Sequence, residues 1–206
     1  MTTEEQVKDI KQSFRLMMDG AVAQSMRNKG IDYRLNWGAT LPRLREKADE
    51  IGKNYNLAIA LWKEDVRECK ILATMLMPPE QMLPEVVDIW IEQTTTLEIA
   101  EQAAFNLYQH LPFAGEKAYQ WLASPDDLPQ ICGYHVLSRL FARKMEPNER
   151  GINEYIDQAL SALQSPNLTL RKAALQSIIR FSELGLMYDR LTRTALKRYG
   201  LDFMLS

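Results

Sequence analysis

A chain of 206 residues, 46% hydrophobic and 25% charged, falls in the ordinary soluble globular range and can bury a core without metal or disulfide help. Its net charge of −2 excludes a strong nonspecific pull toward nucleic acid over the whole surface. The two cysteines, Cys69 and Cys132, sit in apolar helical segments and fit a reducing, cytoplasmic setting, and no run approaches the ~20 apolar residues of a membrane span.

The start, MTTEEQVKDIKQ, lacks the basic and apolar regions of a signal peptide. From there on, apolar residues recur at intervals of three and four, which predicts helices throughout, about eleven of them, and no strands. Ile10, Phe14, Met17 and Met18 open the first stripe, in an N-terminal helix over 1–30. Leu41, Leu44, Ala48 and Ile51 form the next, and paired helical repeats continue over 40–200 in a single domain. The breaks NKG, NYN, MPP, SPDD, EPNERG and SPN are short and rich in turn residues. In MPP the first proline ends one helix and the second can open the next. Trp62, Trp90 and Trp121 read as core; Trp37, in LNWGA, is the best candidate among the four for an exposed aromatic, although packing under its loop is the favoured reading. Charge is uneven: +3 over 1–63, −9 over 64–138 and +4 over 139–206.

Four segments share a pattern: VRECKILATMLM from Val66, LEIAEQAAFNLY from Leu97, LPQICGYHVLSRL from Leu128 and LTLRKAALQSIIRF from Leu168. Each carries a small residue at mid-helix (Ala73, Ala104, Gly133, Ala174) and an apolar one four positions on (Met77, Tyr108, Leu137, Ile178). The small residues are 31, 29 and 41 apart, room for a second helix and two turns each time. Close helix approach at a small residue, with an apolar residue filling the seam, is the pattern of a helical repeat array whose concave face is the usual binding surface.

YRLNWGATLPRLREKADEI, followed by NLAIALWKEDVRECKILATMLM, resembles the N-terminal half of the AlkD-like DNA alkylation repair family. Tyr33, Gly38, Pro42, Leu44, Arg45, Leu57, Ala58, Leu61, Trp62, Arg67, Glu68 and Ala73 carry the likeness, and later segments continue the same helix order. The resemblance implies an all-α, right-handed superhelix of HEAT-like repeats. It also implies duplex DNA as partner and, in active members, hydrolysis of the bond between deoxyribose and a cationic N-alkylated purine, with no metal or cofactor. Such a base leaves readily, so a carboxylate that stabilises the oxocarbenium-like sugar, aromatic rings for the cationic lesion and arginine for phosphate suffice.

Carried over position by position, the likeness is incomplete. The family's active helix opens with tryptophan and has aspartate four residues later; Leu97 and Glu101 stand here. The family's arginine falls near Gln130, after Pro129, and Gln176 stands where a second tryptophan follows the Lys172–Ala173 pair. Glu101 therefore remains as the candidate catalytic carboxylate, at the edge of an apolar arc, where the alternative is a solvated boundary residue. Arg67, Lys70, Arg143, Arg171 and Lys172 are the candidate phosphate contacts. The expected function is duplex binding on the concave face with weak or lost alkylpurine excision. A non-catalytic repeat scaffold for a protein partner in the same groove stays open, because the middle of the chain is acidic. No Walker loop, dinucleotide fingerprint, HExxH or Ser-His-Asp arrangement occurs.

Overall fold

The computed structural model describes residues 2–31 and 33–205. Among them are twelve α-helices and no strand. The chain divides into two compact units, 1–112 and 113–206.

The first unit holds α1 (Thr3–Leu16), α2 (Gly20–Asn28), α3 (Leu41–Ile51), α4 (Tyr55–Trp62), α5 (Arg67–Leu76), α6 (Pro84–Glu92) and α7 (Leu97–Asn106). The expected N-terminal helix over 1–30 is thus two helices. Asp19 breaks it, because its carboxylate caps the backbone N–H groups of Ala21 and Val22 and starts α2 afresh. Thr2, Asn54 and Thr96 cap α1, α4 and α7 in the same way. Pro79 opens a short 3₁₀ turn, Pro79–Gln81, and Pro84 opens α6. α5 is the centre of the unit, packed by α3, α4 and α7. Trp62 and Trp90 stack in the core with ring centroids 4.1 Å apart.

The second unit holds α8 (Ala114–Leu122), α9 (Asp127–Ala142), α10 (Glu149–Leu163), α11 (Leu168–Ser182) and α12 (Leu186–Arg198). Here α9 is central, against α8 and α11, and α12 closes over α10 and α11. Tyr134, Phe141, Tyr155, Phe181 and Tyr188 form a chain of ring contacts through the core.

The predicted repeat register appears as side-chain bridges. Arg67 meets Glu98 at the start of α5 and α7, and Asn106 meets Thr74 near their ends, at offsets of 31 and 32 residues. Asn167 meets Asp127 at the start of α9 and α11, and Lys144 meets the Glu183 carbonyl past their ends, at offsets of 40 and 39. Each pair therefore runs parallel, as successive repeats do. Ala73, Ala104, Gly133 and Ala174 are all buried.

Candidate functional site

The start of α7 borders a cavity of about 550 Å³, lined by Gly30, Ile31, Thr95, Thr96, Leu97, Glu98 and Glu101. Thr96 accepts from the Ile99 N–H and sets the helix start, so Leu97, Glu98 and Glu101 occupy its first turns. The partial positive charge of a helix N-terminus favours carboxylates here.

Glu98 is held in place. Its carboxylate takes a bidentate pair from Arg67, with Nε–Oε2 2.9 Å and Nη2–Oε1 2.6 Å, and accepts from the Tyr33 hydroxyl at 2.6 Å. Burial works against its charge, but the Arg67 guanidinium and the Tyr33 hydroxyl outweigh it and hold the carboxyl below the usual range. Glu101, one turn on, shifts the other way: burial and then the charge of Glu98 push its carboxyl up. The two acids thus titrate apart. Glu98 is a fixed anion, and Glu101, an exposed residue, borders the same cavity.

Arg67 itself is 2% exposed, and its guanidinium also donates to the Ala39 carbonyl at 2.8 Å and to Glu68 at 3.1 Å. Glu68, fully buried, accepts from the backbone N–H groups of Trp37 and Ala39. Together these residues clamp the segment 33–39 onto α5 and α7. Gly38 is required there: at φ +74° a Cβ would sit 2.1 Å from the Asp19 carbonyl oxygen. Trp37 is half-buried in that segment, 5.8 Å from the Arg15 guanidinium.

The candidate phosphate contacts fall into two groups. Arg67 has four of its five N–H donors engaged inside the protein, and Lys70 donates to the Trp62 carbonyl at 2.5 Å while lying 4.5 Å from the Trp62 ring. Both act as internal fasteners in this arrangement. Arg143 and Lys172 are exposed, and Arg171 is half-exposed. Because α9 and α11 run parallel, Arg143 stands at the far end of the pair from Arg171 and Lys172, roughly 17 Å along the helix axis. Glu98 and Tyr33 are the residues that sequence reasoning passed over. The partner of each is at least 31 positions away, and no local signal marks it.

Among the described residues no cluster of His, Cys, Asp and Glu could hold a metal ion, and no helix is long and apolar enough to cross a membrane. Both cysteines are buried and unbridged; burial, then the Glu64 charge, pushes the Cys69 thiol up to about 12, and burial raises that of Cys132.

Residues 10–174 match the sequence profile of a family described as "DNA alkylation repair enzyme". A solved structure, described as "A new family of proteins related to the HEAT-like repeat DNA glycosylases with affinity for branched DNA structures", superposes with a TM-score of 0.79 at 16% identity. The alignment covers 95% of this chain and 82% of that one, so the fold is that of the HEAT-like repeat glycosylase relatives. No curated protein matches significantly.

Proposed function

Because the chain belongs to the DNA alkylation repair enzyme family, we propose that it binds DNA and that its excision of alkylated purines is weak or lost. The observation that carries this reading is the lining of the cavity at α7. Among the described residues that lining offers two carboxylates, Glu101 and the Arg67-bound Glu98, and no aromatic side chain, with Leu97 at the helix start. A cationic purine is recognised through π faces, and a carboxylate alone gives neither orientation nor a platform for the lesion. DNA affinity is supported by the structural relative, whose description includes affinity for branched DNA. It is supported too by Arg143, Arg171 and Lys172, which lie at the surface of the second unit, whereas Arg67 is buried in the first and the half-exposed Lys70 is held by the Trp62 carbonyl.

Two assays run side by side test the reading. In the first, a four-way junction and a duplex of the same length are titrated by fluorescence anisotropy at several salt concentrations. Binding that weakens with salt is expected, tighter for the junction. Absence of binding to either at low salt removes the DNA function and leaves the protein-partner scaffold. In the second, release of an N-alkylated purine from duplex is followed for the wild type and Glu101→Gln. The wild type is expected to stay close to the spontaneous rate. Rapid release that Glu101→Gln abolishes would restore full glycosylase activity to the chain and overturn the second half of the proposal.

A further inference from the structure

α12 lies beyond residues 10–174, the part that matches the family profile. Between α10 and α12 runs a cleft of about 420 Å³. Arg190, Thr194 and Arg198 line one wall at successive intervals of four, on one face of α12. Eight residues of helix set the Arg190 and Arg198 backbone positions about 12 Å apart along the axis. Neither makes a hydrogen bond or ion pair through its side chain among the described residues, whereas the neighbouring Arg193 is paired to Asp189 at 3.0 Å. Asn153 and Asp157 face them from α10. Tyr199, the residue that ends α12, borders the same cleft and is 57% exposed.

We propose that this cleft binds an unpaired strand of DNA. Arg190 and Arg198 hold backbone phosphates, and the Tyr199 ring stacks on a base. The combination is what single-strand recognition needs: unpaired cations spaced along the path of the backbone, and an aromatic face that any base can use once it is unstacked. A paired base is already stacked on its neighbours and has no face to offer Tyr199. A fork or flap carries an unpaired strand at its branch point, so on those branched DNAs the cleft supplies a second contact, which a fully paired four-way junction does not offer. This inference rests on the DNA-binding reading above and names a site for it.

The test is anisotropy of a fluorescein-labelled oligothymidylate, with duplex titrated in parallel. Wild type, Arg190→Ala/Arg198→Ala, Tyr199→Ala and Asp157→Asn are compared, each checked for an unchanged melting curve. Two phosphate contacts on a single strand give a log–log salt slope of about −1.4, and the double arginine variant should lose that much of the wild-type slope. Tyr199→Ala should weaken oligothymidylate about tenfold while leaving duplex binding unchanged. Asp157→Asn, which removes a like charge from the wall, should tighten it about two- to fivefold. Oligothymidylate binding that the arginine and tyrosine variants leave untouched overturns the site. Duplex binding without oligothymidylate binding overturns it too, and spares the DNA reading. Loss of both ligands in the wild type takes down both readings together. Equal binding of polyglutamate, insensitive to Tyr199→Ala, replaces the strand with an acidic polypeptide and also overturns the proposal.

Discussion

Arg67 shows how an ionic residue can be structural even where its sequence context suggests a ligand contact. Its partner Glu98 comes from α7, and Glu68 and the Ala39 carbonyl complete the shell. Removing one member leaves a buried charge without its counter-charge, so Arg67→Ala should cost about 3–5 kcal/mol in a urea melt. A change confined to DNA affinity, with the melt intact, would instead make Arg67 a surface ligand. Tyr33→Phe tests the same network more gently. It deletes a hydrogen bond to an ionised carboxylate, worth about 1.5–3 kcal/mol at pH 7. Glu98 has a folded pKa below its unfolded value, so its contribution is complete above the unfolded pKa of about 4.3 and is lost as pH falls through the lower folded one. The gap between wild type and Tyr33→Phe should therefore close on acidification below about pH 4, and a gap constant from pH 7 to pH 3 would break the link to Glu98. None of this was legible locally. On a helical wheel Glu98 falls among polar residues, and only the stacking of α7 on α5 turns that position inward.

At the scale of elements, much more could be read in advance. The intervals of 31 and 41 between Ala73 and Ala104, and between Gly133 and Ala174, reappear within two residues in the bridges that join α5 to α7 and α9 to α11. A repeat must present the same face at the same height, so a small residue where two helices cross recurs with the repeat itself. The break at Asp19 was hidden because the apolar stripe of Ile10 and Phe14 continues in sequence through Met17 and Met18, and only the cap interrupts it. Gly133 gives the seam its sharpest test. A Cβ there would lie 2.9 Å from the Ala118 carbonyl oxygen, 3.2 Å from Leu122 Cδ2 and 3.4 Å from Trp121 Cβ. The first of these is backbone in the middle of α8 and cannot swing away. Gly133→Ala should thus destabilise by about 1–3 kcal/mol although alanine is the better helix former. Gly115, in the first turn of α8, is the control: its added Cβ would meet only Leu140 Cδ1, at 3.9 Å. Gly115→Ala should be neutral or stabilise by up to about 1 kcal/mol. Equal melting temperatures for the two variants would mean that α8 and α9 can part without cost.

For the whole molecule, the question is how a chain of net charge −2 could hold a polyanion. The charge is not spread evenly: residues 1–112 contain 13 basic and 17 acidic side chains, and residues 113–206 contain 12 and 10. Nonspecific attraction is therefore weak, and affinity must come from a few placed cations whose number a salt titration counts. If Arg143, Arg171 and Lys172 each neutralise one phosphate of a duplex, the log–log slope is about −2.7, and affinity falls about 40-fold between 50 and 200 mM salt. Each replacement by alanine should flatten the slope by about 0.9, and the triple variant should show almost none. The spacing of the contacts adds a length requirement. Arg143 and the Arg171–Lys172 pair are separated by roughly 17 Å along α9 and α11, which is about half of a duplex turn. A duplex shorter than that engages one end of the pair only and should show a slope nearer −1 or −2, according to which end it takes. A steep slope that survives the triple variant would place the contacts elsewhere. The sequence pattern of basic ends around an acidic middle would then have pointed to charge without locating the surface that uses it.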